Sequence, residues 1–534
     1  MTARALRVDA LRVGDGPTVR HAVHQLLADL GMTTIFGNPG STELPMFRDL
    51  PPELSYVLAL QESVAVGMAD GFAQATGRAA LVNLHSSAGV GHAMGNIYTA
   101  FRNQTPLVVT AGQQARSILP YEPFLYAERS TEFPRPFVKW AIEPARAQDV
   151  PLAIARAHHI AMQAPCGPVF VSIPIDDWEQ PCPPITPARV SRSVDVDPAL
   201  LAEAAGLLHA ARRPVVVAGA GVARDGAREA LVHLAEQHGT PVWAAPMAAR
   251  NVFPEDHPLF AGFLAASREA IVDALDGHDL VLVLGAPVFT FHVEGFGPFV
   301  PEGADLVQIV DDPAMAARTP LGLAITGDVT RAIAHLAQVV PERPRALPRA
   351  RIVPAAPDDS RLTDSLLMSR LEALRPKGIA VVEEAPSTRG PLHDYFRVRA
   401  DEEFHTCASG GLGHGLPAAL GVAMGRPDRP VLCLLGDGSA MYAIQGLWTA
   451  ARHGLDVRFL IVNNGGYVAL EHFAGLFGME AVGSRLPGLD FCALAQGQGV
   501  AAARVSDPAA LDAAIQDLFQ GVGPRLLEVV ITGD

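Results

Sequence analysis

The chain has 534 residues, of which 49% are hydrophobic and 18% charged, with 49 glycines and 44 prolines. That length exceeds what a single core supports, so two to four well-buried globular domains are expected, not a disordered or fibrous chain. A net charge of −15 without any Lys/Arg-rich run argues against a nucleic-acid partner.

The five cysteines, Cys166, Cys182, Cys407, Cys433 and Cys492, form no CxxC pair. Reduced thiols in a cytoplasmic protein are therefore expected, not a disulfide framework or a zinc site. No apolar stretch reaches the length of a membrane span, so no membrane partner is expected. The N-terminus, MTARALRVDALRVGDG, is charged and lacks the apolar centre of a signal peptide, and residues 1–16 read as a flexible extension.

In chain order, TVRHAVHQLLADLGM reads as an amphipathic helix ending at Gly31, followed by the short buried strand TTIFG. The pattern repeats with the strand YVLAL, a helix from Glu62 to Thr76, the strand AALVNLH, another helix and PLVVTAG. PCPPITPARV, at 181–190, reads as a proline-rich linker. A second block, 195–340, carries PVVVAGAGV, TPVWAAP, LVLVLGAPV, ADLVQIV and LAITGD. After a polar, proline-rich linker at 341–360, the block 361–534 carries GIAVVEE, RPVLCLLGDG, VRFLIVNN and RLLEVVITGD. Short aliphatic strands alternating with helices predict parallel sheets covered on both faces. The fold class expected is α/β, with three doubly wound parallel-sheet domains over 17–190, 195–340 and 361–534.

The third block carries the most specific chemistry. The apolar run VLCLL ends at Asp437, held between Gly436 and Gly438, and VRFLIV ends at Asn463-Asn464-Gly465-Gly466. The two ends lie 27 residues apart, room for one helix (Ser439 to His453) and a return strand. A βαβ crossover brings both to one edge of the sheet, where open α/β sheets bind ligands. A carboxylate, an amide oxygen and a backbone carbonyl are hard donors suited to Mg²⁺, whose shell is normally completed by phosphate oxygens. The glycines let backbone approach those phosphates, and a helix N-terminus favours their charge.

The stretch from LGVAMGRPDRPVLCLLGDGS to FLIVNNGGY resembles the diphosphate-binding motif of thiamine-diphosphate-dependent enzymes, which begins GDG and ends NN. The resemblance implies pyrimidine-binding, middle and diphosphate-binding domains, with thiamine diphosphate and Mg²⁺ as cofactors. It implies Asp437, Asn464 and the Gly466 carbonyl as metal ligands. Gly436, Gly438, Ser439, Tyr467, Ser387 and Thr388 would lie on the cofactor side. Glu62, after YVLAL and opening an apolar helix, takes the place of the carboxyl that activates the aminopyrimidine; an apolar wall would raise its pKa. In this family one subunit supplies the Glu62 half and another the Asp437 half, so a homo-oligomer with sites at a dimer interface is implied, with a homotetramer expected.

FGNPGSTELP, LALQE, VTAGQQAR, PRPFVKW, VLGAPVF, GGLG and GDGSAMYAIQGLWTAA extend the resemblance, from about 18 to 532, to the decarboxylases of aromatic 2-oxo acids within this family. It implies non-oxidative release of carbon dioxide and an aldehyde from a small-molecule 2-oxo acid, with aldehyde carboligation as a side activity. Ser41 would hold the substrate carboxylate, and His85 and His292 would transfer protons. Leu412 would bend the cofactor, and the Gly410 carbonyl would receive its exocyclic amine. The substrate pocket would draw on Phe124, Leu125, Arg389, Thr406, Ala469, Leu470 and Phe473.

Four positions depart from the pattern: Thr406 stands where a large aromatic is expected, Arg389 where a small polar residue is expected, and Glu471-His472 where a basic and an aromatic residue are expected. If Arg389 faces the pocket, a second acidic or polar group on the substrate is implied; if it pairs with a carboxylate such as Glu384, the change is bland. GAGVARDG, at 219–226, lacks the third glycine of a dinucleotide fingerprint, Arg224 standing there, and reads as part of the fold. The alternatives are a carboligase or lyase of the acetolactate synthase or benzaldehyde lyase type, the former using the middle block for flavin, and an inactive structural homologue.

Overall fold

The computed structural model describes residues 16–343, 345, 351–352 and 354–531; the expected N-terminal extension, apart from Gly16, and part of the expected linker at 341–360 lie outside the described residues. The chain divides into two units. One runs to Ala73 and resumes over Arg78–Val190; the other comprises Gln74–Gly77 and the chain from Ser191 onward.

The first unit is built on β1 (Thr34–Gly37), β2 (Ser55–Leu58), β3 (Ala80–Leu84), β4 (Leu107–Gln113), β5 (Ala141–Ile142) and β6 (Val169–Pro174), in the order β2-β1-β3-β4-β6-β5. The second unit holds two sheets. One contains β7 (Pro214–Ala218), β8 (Val242–Ala244), β9 (Phe260–Phe263), β10 (Leu280–Leu284), β11 (Asp305–Val310) and β12 (Leu323–Thr326), ordered β12-β11-β10-β7-β8-β9. The other contains β13 (Ala380–Glu384), β14 (Glu403–Thr406), β15 (Val431–Gly436), β16 (Val457–Asn463), β17 (Ala501–Val505) and β18 (Arg525–Val530), ordered β14-β13-β15-β16-β18-β17. Every strand pair is parallel. The expected α/β class with three doubly wound parallel sheets is what the chain forms.

The central strands are buried at every residue, as in β3, β4, β7, β10 and β13, because helices cover both faces. The helices Val19–Asp29 and Glu62–Thr76 stand where the periodicity places them. The single helix expected from Ser439 to His453 is instead two, Asp437–Met441 and Gly446–His453. Tight turns bridge the break, the amides of Tyr442 and Gly446 reaching back only three residues to Ser439 and Ala443. The break sets Tyr442 against Gly413, where an added Cβ would lie 2.8 Å from that of Tyr442.

Within the second unit the segment 249–255 runs beside β14, with Thr406 N–H donating to Ala249 (2.9 Å) and Asn251 N–H to Phe404 (3.4 Å). This backbone seam joins the second and third sheets. Close by, Arg375 and Glu402 form an ion pair at 2.5 Å with both side chains fully enclosed. The guanidinium also lies 4.0 Å from the centre of the Phe396 ring. Arg375 also pairs with Glu372 (2.8 Å), which keeps part of its compensation, so Glu402→Gln is expected to lower unfolding free energy by about 1–3 kcal/mol in urea titrations. Alanine at the exposed pair Arg129–Glu132 should leave the same titration unchanged within error.

Candidate active site

A ligand crevice forms where successive connections leave a parallel sheet in opposite directions. In the first sheet that point lies between β1 and β3. The strand ends there lead to three of the expected residues: β1 into the turn bearing Ser41, β2 into Glu62, and β3 into His85. The turn is wrapped on the imidazole: a Cβ at Gly40 would fall 2.0 Å from His85 Nδ1. Asn38 ties the turn to the end of β2 by donating to the Ala59 carbonyl (2.9 Å). Ser41 itself is exposed.

The residue that sequence reading missed here is Glu43. Its buried carboxylate meets His85 Nδ1 at 2.8 Å and accepts hydrogen bonds from Gly40 N–H (2.8 Å), Gly112 N–H (2.9 Å) and the Thr42 hydroxyl (2.5 Å). Glu43 therefore fixes the imidazole's orientation and turns its other nitrogen outward. An acidic residue two places after Ser41 is a weak signal by itself, because two of the partners that define it, His85 and Gly112, lie after β3 and in β4.

Glu62 opens its helix as expected. It is partly buried and pairs with the exposed His92 (Nδ1 to Oε2, 3.1 Å). Gly89 leaves room for it; a Cβ there would stand 3.1 Å from Glu62 Oε1. Leu125 has φ +65° and its carbonyl accepts from the Ser86 hydroxyl (2.9 Å), which brings it beside His85. Phe124 is 86% exposed.

In the third sheet the crevice lies between β13 and β15. Asp437 is buried, and one oxygen accepts from Gly438 N–H (2.7 Å) while Oδ2 has no partner. Burial pushes its carboxyl up, against the amides of Gly438, Gly466 and Gly465. The buried Asn464 Oδ1 and Thr388 Oγ1 also lack partners, while Asn464 Nδ2 donates to Ser387 Oγ (3.2 Å). Such orphans are rare in native interiors and ask for a bound group. Unpaired carboxylate and amide oxygens suit a divalent cation, and an unpaired hydroxyl suits a diphosphate oxygen. Only glycine fits at 438, since a Cβ would meet the Tyr467 ring at 2.3 Å. The expected cofactor residues thus gather at one sheet edge, and they fit the group they were assigned.

Two consecutive glutamates organise that edge. Glu384, buried at the end of β13, accepts hydrogen bonds from the amides of Gly413 (2.6 Å), His414 (2.8 Å) and Gly415. This pins the start of the helix Gly415–Gly425 and the loop carrying Gly410 and Leu412. Arg389 pairs with Glu383 (2.8 Å), not with Glu384, because neighbouring strand residues face opposite ways.

The expected substrate residues are only partly brought together. Phe473 stacks on His292, ring centres 4.9 Å apart. Ala469 and Leu470 lie exposed on the helix Val468–Leu476. Arg389 and Thr406 instead line a cavity whose wall includes none of the others.

The middle sheet's crevice, between β7 and β10, is closed. Gly219 and Gly221 donate their amides to the carbonyls of Leu284 (2.8 Å) and Gly285 (3.0 Å). A Cβ at Gly221 would fall 2.8 Å from the Gly285 backbone. Arg224 is ion-paired with Asp311. GAGVARDG is therefore spent on packing, as its missing third glycine suggests.

Comparison with known proteins accords with this geometry. Residues 17–129 match the N-terminal TPP binding domain of thiamine pyrophosphate enzymes, 201–336 the central domain and 387–529 the C-terminal TPP binding domain. The chain belongs to the thiamine pyrophosphate enzyme family. Within it, the chain is 43% identical to a benzoylformate decarboxylase of Pseudomonas aeruginosa, covering 96% of this chain and 98% of the relative. Among solved structures, a Rhodococcus jostii thiamine diphosphate-dependent 4-hydroxybenzoylformate decarboxylase matches with TM-score 0.93 and 38% identity, covering 97% of this chain and all of that one. Benzoylformate decarboxylase from Polynucleobacter necessarius matches with TM-score 0.94 and 39% identity, covering 96% and 98%.

Burial pushes Glu384 up to about 7, against its three amide donors and His414. A carboxyl raised in the folded state holds its proton there while the unfolded chain releases it near its ordinary value. The stabilisation is complete below that value and is lost as pH rises towards 7, a span on the order of 3 kcal/mol. Urea midpoints of the wild type should therefore fall between about pH 5 and 7 relative to Glu384→Gln, which cannot titrate.

Proposed function

We propose that the protein is a thiamine-diphosphate- and Mg²⁺-dependent decarboxylase that converts an aromatic 2-oxo acid of the benzoylformate type to an aldehyde and carbon dioxide. The observation that carries this reading is the set of partnerless buried oxygens, Asp437 Oδ2, Asn464 Oδ1 and Thr388 Oγ1, at the open crevice of a thiamine pyrophosphate enzyme's C-terminal domain. Asp437, Asn464 and the Gly466 carbonyl would hold Mg²⁺. Ser387, Thr388, Ser439, Tyr467 and the backbone at Gly436 and Gly438 would surround the diphosphate. The Gly410 carbonyl and Leu412 would set the cofactor's bend. When bound, thiamine diphosphate supplies a nucleophilic carbon for the keto group and a ring that takes up the electron pair released with carbon dioxide.

The chain's own residues do the rest. Glu62 would share its carboxyl proton with a ring nitrogen of the aminopyrimidine. Ser41 orients the substrate carboxylate from its turn. His85, steered by Glu43, and His292, steadied by the Phe473 ring, move protons to and from the substrate's oxygen and carbon. Aldehyde carboligation follows as a side activity of the same site.

The working assembly is a homo-oligomer, a dimer at least and a tetramer as expected, each site taking Glu62 from one subunit and Asp437 from another. The strongly exposed Phe124, Leu476 and Phe477 offer apolar surface for such an interface. A cytoplasmic location fits five cysteines that are all free. No helix among the described residues is long and apolar enough to cross a membrane. The flavin-dependent alternative is disfavoured by the closed crevice at Gly219, Gly221 and Arg224.

The test is carbon dioxide release from aromatic 2-oxo acids with both cofactors supplied. Thiamine diphosphate with Mg²⁺ should raise the melting temperature of the wild type and not of Asp437→Ala. Glu62→Gln should keep that shift but lose on the order of 100-fold in kcat. Undiminished turnover in Glu62→Gln, or no carbon dioxide from any such acid, overturns the reading.

A further inference from the structure

The cavity that Arg389 and Thr406 line has a volume of about 450 Å³, ample for a substituted phenyl ring, and Trp243, Phe263 and Phe404 wall it. Two chain connections and one backbone hydrogen bond link its wall to the candidate site. Arg389 directly follows Thr388, whose hydroxyl is one of the orphans. Thr406 leads through Cys407 into the loop of Gly410 and Leu412. The wall residue Ala266 accepts the backbone N–H of His292 (2.9 Å).

At the polar end, Arg389 donates to Glu383 Oε2 through Nε (3.1 Å) and Nη2 (2.8 Å), and Nη2 also reaches Thr406 Oγ1 (2.9 Å). The Thr406 hydroxyl donates to Glu383 Oε2 (2.8 Å), and the Ala385 amide to Oε1 (2.6 Å). Nη1 has no acceptor among the described residues, and the Arg389 side chain is 32% exposed. Arg389 lies on the cavity wall.

The end therefore offers hydrogen-bond donors without net charge. Burial pushes the Glu383 carboxyl up, but the guanidinium and the bonds from Ala385 and Thr406 hold it below its ordinary value, so the pair stays ionised. Of the other ionisable groups on the wall, Arg351 pairs with Asp394, and His393 hydrogen-bonds with Glu255. A second carboxylate on the substrate would be buried beside Glu383 with no spare positive charge, whereas a neutral oxygen needs only the free Nη1 donors.

Resting on the decarboxylase reading, we infer that Arg389, set by Glu383 and Thr406, selects arylglyoxylates carrying a neutral hydrogen-bond acceptor, a phenol or ether oxygen, at the far end of the ring. The experiment compares kcat/KM for phenylglyoxylate and its 4-hydroxy, 4-methoxy and 4-carboxy derivatives. The wild type should favour the hydroxy and methoxy acids over the unsubstituted one by about tenfold or more, and disfavour the carboxy acid. Glu383→Gln combined with Arg389→Met removes donor and counter-charge together, and its ratio should fall to within about twofold; that comparison cancels the substituent's intrinsic effect on reactivity. Thr406→Phe, which fills the polar end, should reverse the preference and stands in if the double variant does not fold. A wild type that prefers the unsubstituted or carboxy acid, or a preference that survives these substitutions, overturns the inference and leaves decarboxylation standing. No carbon dioxide from any of the four overturns both.

Discussion

Asp437 directly follows a strand whose first five residues, Val431 to Leu435, are all buried, and that placement governs the rest of the candidate site. Taking a carboxylate out of water is strongly unfavourable unless a cation or several donors replace the lost solvent. Here one oxygen finds a single close amide and the other finds nothing, while the amide oxygen of Asn464 and the hydroxyl of Thr388 are similarly bare. The strand order β14-β13-β15-β16 puts these groups on neighbouring strand ends, so their deficits add at one place. A divalent cation with an attached diphosphate, as proposed, would satisfy all of them together, and its binding would then add to the stability of the folded chain.

The three sheets share one plan, yet their crevices have different fates, and glycine contacts decide which. At the middle sheet Gly219 and Gly221 turn their amides onto the carbonyls of Leu284 and Gly285, so the donors that would receive a phosphate are already used. Gly438 has the opposite role: its missing Cβ admits the Tyr467 ring and leaves the turn after β15 open at its polar edge. Gly40, likewise, lets its turn lie on His85. The same residue type closes one ligand site and builds two others, so a glycine-rich turn after a strand identifies the place but not the occupancy.

Which parts were legible in the sequence follows from the range of the interactions involved. The buried central strands, the helices with clean periodicity and the GDG to NN spacing are local patterns and read correctly. The strands that escaped are mostly short or marginal: β5 has two residues, β14 has four, β9 skips Ala261 in its pairing with Val242 and Trp243 and carries Gly262, and β17 is a largely exposed, alanine-rich edge. The fully buried VFVSIP of β6 carried a usable signal that was not taken up. Glu43 and Glu384 were invisible for another reason. Their distant partners, His85 and Gly112 for Glu43 and the amides of residues 413–415 for Glu384, are brought to them only by the folded sheet. The environment of Glu62 lies beyond a single chain's reach altogether if a second subunit completes it.

The orientation of Arg389 turned on a one-residue difference that composition cannot resolve. Glu383 and Glu384 are both plausible partners by distance along the chain, but strand parity sends them to opposite faces of β13. Glu384 gathers the amides of residues 413–415 and so shapes the loop beneath Gly410 and Leu412; Glu383 gathers Arg389 and Thr406 and so shapes the far end of the cavity. The two tasks are mechanically separate, because each carboxylate is saturated by its own donors and shares none with its neighbour. A change at 383, 389 or 406 can then alter what the cavity accepts while the cofactor loop keeps its shape. A change at 384 would disturb that loop whatever the substrate.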